Sequence, residues 1–273
     1  MIILESYEEY KNQTKDVKSI YSNCYLMPQQ IKQLITERRL ELLQKDDNLF
    51  LLVEESGFYR MYYRISQDKK IAKLELDKPI VIEYPYQGEL SDKKKLELEI
   101  IAKLGFTLGR NSARMRMKAE NVSMLECEKT INSNYQIFKA KKDDVENIEK
   151  LLWSTFDPLF AFLPTTDEIE RKINEGYIFV IYRNLSIIGV LNMDIEKNTA
   201  WLRQLAVERN FRGKGIGKLL LTYYLKNFKT QVQEFMHWVD EDNKVAITMY
   251  EKEGFKLDGR KAREYILLPD NAR

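Results

Sequence analysis

The spacing of apolar and polar positions divides the chain into short segments of two periods. Residues 50–53, 58–65 and 79–84 carry strand-like patterns. The middle one is rich in aromatics (Phe58, Tyr59, Tyr62, Tyr63), and Gly57 is the turn before it. Helical spacing begins at Pro28, a residue suited to a first helical turn, with Ile31, Leu34, Ile35 and Leu42 on one face. It returns over residues 96–104 and is stopped by Gly105. Residues 106–117 are strand-like again. After a polar, turn-rich stretch at 121–134 the pattern restarts with a strand at 135–140. A helix capped by Asp143 or Asp144 follows, with Val145, Ile148, Leu151 and Leu152 on one face. Phe156, Phe160 and Phe162 lie in a segment that Pro158 and Pro164 keep from being a regular helix. Thr165 and Glu168 fit a capping box, and Gly176 closes that helix. Strands are expected at 177–182, 187–194 and 200–207, then a helix to about Phe228 and a strand through His237, Trp238 and Val239. Asp242 or Asn243 caps a further helix that Gly254 ends, and Phe255 begins the last strand. The pattern predicts a mixed α/β (α+β) chain of two domains, 1–130 and 131–273.

One stretch departs from simple patterning. The strand residues Leu205, Ala206 and Val207 run into a charged turn and then Arg212-Gly213-Lys214-Gly215-Ile216-Gly217, after which Lys218-Leu219-Leu220-Leu221 reads as a helix. Glycines at alternate positions let backbone N–H groups approach a ligand closely. A helix N-terminus adds unpaired donors and partial positive charge. With Arg212, Lys214 and Lys218 this describes a site for phosphate or pyrophosphate. The plain alternative is a basic, glycine-rich turn opening an ordinary helix. A P-loop is excluded, because Gly217-Lys218 is followed by Leu219 and the required earlier glycine is Arg212. The dinucleotide fingerprint is excluded as well, because its third glycine would fall on Leu220 or Lys218.

A second pattern follows at Asn243, Ala246, Tyr250, Gly254 and Phe255, with the first three on one helical face. The Arg-x-x-Gly-x-Gly loop and this pattern, in this order, resemble the GNAT N-acetyltransferase superfamily over residues 135–268. The resemblance implies the GNAT fold, a mixed and mostly antiparallel sheet flanked by helices, and acetyl-CoA as cosubstrate. It implies that two strands part where the cofactor enters and that its pantetheine arm pairs with the strand at Leu205, Ala206 and Val207. Backbone N–H groups from Gly213 through Lys214, Gly215, Ile216 and Gly217 to Lys218 would hold the pyrophosphate, with Arg212 as a charged contact and Asn243 beside the cofactor. Tyr250 stands at the position of the general acid; the plain reading is a tyrosine packing its helix onto the sheet. The general base stays open. Trp201 and Trp238 stand where some family members carry one, and His237, Asp240, Glu241, Asp194 or a bound water remain. Phe156, Phe160, Phe162 and Pro164 lie where the family places its acceptor helices, and core packing explains them equally well. The implied acceptor is a small-molecule amine or a peptide N-terminus. A CoA-binding module without transfer, acting as sensor or scaffold, is the competing reading.

Lys103-Leu104-Gly105-Phe106 resembles Lys252-Glu253-Gly254-Phe255, and both precede a strand. The first half therefore reads as a second, degenerate GNAT-like unit. It has no counterpart of the glycine loop, and residues 66–78 are too few for a strand, a loop and a long helix. This half is expected to bind no CoA and to shape the acceptor cleft or a dimer contact, so a homodimer is among the expectations.

Composition changes little in this picture. With 273 residues, 44% of them hydrophobic, and a net charge of +2, nothing favours nucleic acid or an anionic membrane as partner. There is no apolar run near the ~20 residues of a membrane span, and the first residues do not resemble a signal peptide. Cys24 and Cys127 are distant from each other, which fits a reduced, cytoplasmic protein with no metal site. The one histidine, His237, without a Gly-x-Ser-x-Gly elbow, argues against a serine hydrolase.

Overall fold

The computed structural model describes residues 1–15, 17, 19–45, 47–66, 73–74, 76–122 and 135–269. In chain order the strands and α-helices are β1 (Ile2–Ile3), α1 (Tyr7–Thr14), β2 (Tyr21–Ser22), α2 (Pro28–Thr36), β3 (Leu40–Lys45), β4 (Asn48–Glu54), β5 (Tyr59–Ile65), β6 (Ile80–Gln87), α3 (Asp92–Lys103) and β7 (Thr107–Lys118). They continue with β8 (Ile137–Lys139), α4 (Val145–Thr155), α5 (Thr166–Glu175), β9 (Ile178–Arg183), β10 (Ser186–Glu196), β11 (Thr199–Val207), α6 (Ile216–Phe228), β12 (Glu234–Asp240), α7 (Lys244–Lys252) and β13 (Lys256–Leu267). No helix among the described residues is long and apolar enough to cross a membrane.

The chain forms two compact units. The first comprises Met1–Asn111 and Lys261–Arg273, and the second Ser112–Arg260. Each unit therefore includes strand residues from the far half of the sequence. Most of the polar stretch where the sequence places its boundary, 123–134, lies outside the described residues.

In the first unit the strands run β1-β3-β4-β5-β6-β13. Every residue of β4 up to Val53 is buried, because the sheet is covered on both faces. Phe50 and Leu52 pack with Ile100, Ile101 and Leu104 of the α3 region. Leu49, Leu51 and Val53 pack with Tyr10 of α1 and Ile31 and Ile35 of α2. Leu42, expected on the face of α2, instead belongs to β3. The helix stops at Thr36 and Arg38 turns the chain with φ of 56°.

The second unit repeats this plan, with strands in the order β7-β12-β11-β10-β9-β8. One face packs against Leu220, Leu221 and Tyr224 of α6 and Tyr250 of α7. The other packs against Ile148 and Leu152 of α4 and Ile169 of α5. The capping box expected at Thr165 and Glu168 forms, and Gly176 ends α5 in the left-handed conformation. The repeat read around Gly105 and Gly254 has a structural counterpart. The two glycines have φ of 100° and 99°, and in each case the following phenylalanine N–H donates back into the helix, Phe106 to Ile101 O (3.3 Å) and Phe255 to Tyr250 O (3.1 Å).

Candidate functional site

The site is built on β11. Along one edge it pairs antiparallel with β10, from Gly189↔Val207 to Glu196↔Thr199. Arg203 is the extra residue where the register shifts beside Asn192 and Met193. Such a bulge bends a strand and increases its twist. Along the other edge β11 pairs parallel with β12 over only three positions, Thr199↔Glu234, Ala200↔Phe235 and Trp201↔Met236. From Leu202 onward no described strand pairs with that edge. The backbone of Leu205, Ala206 and Val207 thus borders a wedge between β11 and β12, a separation that one-dimensional patterning cannot display.

At the end of β11 the chain enters a short turn fixed by its own side chains. The Glu208 carboxylate accepts from Asn210 N (3.0 Å) and Asn210 Nδ2 (3.2 Å). Arg212 Nε donates to Val207 O (2.9 Å), so the guanidinium is anchored by one nitrogen while its terminal nitrogens donate to no described residue. Gly213 and Gly215 have φ of 76° and 82°, which side chains rarely adopt, and a Cβ built on either meets nothing within 4 Å. The first helical hydrogen bond of α6 is Leu219 N to Gly215 O (2.9 Å). The N–H groups of Gly213, Lys214, Gly215, Ile216, Gly217 and Lys218 donate to no described residue, and Gly215 caps the helix with no side chain of its own. Lys214 Nζ lies 4.9 Å from the Phe211 ring centroid, and Lys218 Nζ is 3.3 Å from the Glu253 carboxylate. Free N–H donors, helix dipole and Arg212 favour an anion here.

Helix α7 lies on the same side of the sheet as α6. Asn243 caps it, its Oδ1 accepting from Ala246 N (3.1 Å), which leaves Nδ2 without a described partner. Tyr250 is buried; its ring lies 3.9 Å from that of His237 and 5.9 Å from that of Phe255, centroid to centroid. The hydroxyl makes no hydrogen bond to a described residue, and burial pushes its pKa well above the ordinary tyrosine value. His237 is 1% exposed, neither ring nitrogen has a partner among the described residues, and burial pulls its pKa down to about 3. It is a neutral imidazole at physiological pH, unsuited to take up a proton. Asp194 is held by Lys172 (2.9 Å) and Arg203 (2.7 Å). Asp240 Oδ1 accepts from Asp242 N (2.8 Å).

Two features of the site escape sequence reading. Gly189 on β10 admits the first turn of α6, since a Cβ there would stand 3.1 Å from Ile216 Cγ2 and 3.2 Å from Leu220 Cδ1. An isolated glycine within the apolar run Ile187-Ile188-Gly189-Val190 was the available signal. The second is a buried polar chain on the opposite face of the sheet. Lys172 Nζ donates to Asn192 Oδ1 (3.1 Å), Asn192 Nδ2 to Gln204 Oε1 (2.6 Å), and Gln204 Nε2 to Phe162 O (2.9 Å). Burial lowers the Lys172 pKa against the pull of Asp194. This chain ties the aromatic segment to β11. Phe156 and Leu163 pack on the core there, while Phe162 is exposed.

The sequence matches the model of the Acetyltransferase (GNAT) family over residues 145–255. No curated protein matches it. The fold resembles a GCN5-related N-acetyltransferase from Sphaerobacter thermophilus, with a TM-score of 0.53 and 12% identity over 81% of this chain and 76% of that one. It also resembles a functionally unknown conserved protein from Staphylococcus epidermidis ATCC 12228, at 0.52 and 12% over 84% and 94%. A tandem GNAT protein from the clavulanic acid biosynthesis pathway matches at 0.51 and 10% over 84% and 83%. At these identities the likeness is one of fold. Residues 145–255 thus match the GNAT acetyltransferase family, within a chain whose mixed α/β fold resembles that of a tandem GNAT protein.

Proposed function

We propose that the second unit takes acetyl-CoA as cosubstrate and transfers its acetyl group to a primary amine, on a small molecule or a peptide N-terminus. The observation that carries this reading is the wedge beside residues 205–207, which opens where the β11–β12 pairing stops after Trp201, together with the N–H groups of residues 213–218, which donate to no described residue. These features fit the cofactor's two chemistries. A strand edge that no described strand pairs suits the amides of the pantetheine arm, and a glycine-lined helix N-terminus suits the pyrophosphate, with the terminal guanidinium nitrogens of Arg212 beside it. Asn243 Nδ2 is a further donor.

Acetyl-CoA supplies the acetyl group as an activated thioester. The chain's part is to orient it and to serve the departing sulfur. An ordinary tyrosine titrates near 10 and a thiol near 8.5. Burial raises Tyr250 further, so its hydroxyl is protonated at neutral pH and able to donate to a thiolate. The test is free-thiol release from acetyl-CoA against a panel of amines and peptides, with Tyr250→Phe alongside. Turnover with one acceptor class, lowered about 10²–10⁴-fold in kcat by the substitution with cofactor affinity kept, supports the reading. A mutant at wild-type rate removes Tyr250 from the mechanism.

A second reading, a module that holds CoA without transfer, rests on the state of two of the candidate bases: His237 is neutral and enclosed, and Asp194 is engaged by two cations. Tight CoA binding with no thiol release from any amine favours it.

A further inference from the structure

The first unit contains its own version of the wedge, and the chain itself fills it. Strands β5 and β6 are parallel, like β11 and β12, and pair at Tyr59↔Ile80 and Arg60↔Val81. Asn23 lies beyond these pairs, 8% exposed, with its carboxamide spanning both strands. Its Oδ1 accepts from Tyr63 N (2.7 Å), and its Nδ2 lies within bonding distance of Met61 O (3.3 Å) and Glu83 O (3.4 Å). One acceptor and one donor thus meet an N–H and a C=O two residues apart on one strand, as a secondary amide lying along that edge would. The preceding residues continue the occupation. Ile20 N donates to Ile65 O (2.7 Å), and β2 pairs antiparallel with β5 at Tyr21↔Ile65 and Ser22↔Arg64. The Tyr25 hydroxyl then donates to the Glu83 carboxylate of β6 (2.6 Å).

Among the described residues this unit also lacks counterparts of Tyr250 and of the glycine turn. The matching helix ends place Ile101, an apolar and fully buried residue, where the second unit has Tyr250. Residues 66–79 separate β5 from β6, with no α-helix among those described, whereas residues 208–233 separate β11 from β12 and hold the glycine turn and α6.

We propose that Asn23, with β2, is the resident occupant of the first unit's wedge, an internal amide in the place of a ligand amide, and that this unit is closed to acyl-CoA. The chain then carries one cofactor site. The count rests on the acetyl-CoA reading of the second unit; the occupancy by Asn23 does not.

Two measurements on the full chain decide it. In amide hydrogen exchange, Asn23→Ala speeds exchange at Tyr63 N–H by about tenfold or more, the loss of one buried hydrogen bond, and leaves the amide of Val190 in the second unit unchanged. Asn23→Asp keeps the acceptor for Tyr63 and preserves most of its protection; this variant is compared with wild type should the alanine variant fail to fold. Protection at Tyr63 that is unaltered in Asn23→Ala, or lost in Asn23→Asp, overturns the proposal. Calorimetric titration with acetyl-CoA gives one equivalent per chain. Two equivalents, or one tight equivalent persisting in Arg212→Ala, also overturn it. No binding by the wild type defeats the proposed function of the second unit, and the exchange result alone then decides the role of Asn23.

Discussion

His237 is the chain's one histidine, so its burial makes a clean experiment. Its pKa is about 3 in the folded protein and about 6.5 in an unfolded chain. Because the folded value is the lower one, unfolding takes up a proton once the pH drops below 6.5. Stability is therefore complete above that value and is lost as pH falls toward 3. At pH 5 the unfolded chain is almost fully protonated at this position and the folded chain almost not at all. Linkage then removes about 2 kcal/mol relative to pH 7.5. Acidic groups also titrate as pH falls, but they are common to wild type and variant, so the difference between His237→Leu and wild type isolates the imidazole. Neither ring nitrogen has a partner among the described residues, so replacing the ring with a leucine of similar size leaves stability at pH 7.5 within about 1.5 kcal/mol. The assay is urea unfolding followed by tryptophan fluorescence, and Trp153, Trp201 and Trp238 all belong to the second unit, where His237 lies. The wild type is expected to lose about 2 kcal/mol more than the variant between pH 7.5 and 5. Equal losses would show that the imidazole is solvated or paired in solution, and would restore it as a candidate base.

Two further expectations follow from the loop and its support. Arg212→Ala leaves the fold intact and weakens acetyl-CoA binding about 10- to 100-fold by calorimetry, since charge-assisted bonds to a phosphate are lost; unchanged affinity rejects the pyrophosphate assignment. Gly189→Ala forces Ile216 and Leu220 outward by a few tenths of an ångström, costs about 1–3 kcal/mol in urea unfolding, and weakens acetyl-CoA binding through the displaced start of α6. A variant as stable as wild type with full affinity would show that the α6 packing yields freely.

The sequence by itself determined the elements and most of the loop. Capping chemistry is local, so Thr165, Glu168, Gly176 and Asn243 marked helix ends that the structure reproduces. The left-handed turns at Gly213 and Gly215 are likewise a property of a few consecutive residues. Leu42 was misplaced for the converse reason: helical spacing continues past Thr36 in the sequence, but the left-handed Arg38 ends the helix before Leu42 is reached. Tertiary structure alone decided everything that depends on which strands meet. Only pairing reveals that β11 leaves β12 after Trp201, that Gln204 reaches Phe162 O, or that a histidine in an ordinary strand is sealed beneath Tyr250. Asn23 is the extreme case. Nothing near it in sequence suggests a role, because the described partners of its side chain, Met61, Tyr63 and Glu83, are at least 38 residues away. The composition of the compact units follows the same logic. Strands are completed by partners distant in the chain, so residues 261–267 count with the first unit and 112–118 with the second. Hydrophobic periodicity states which side of a strand is buried but carries no record of its neighbour.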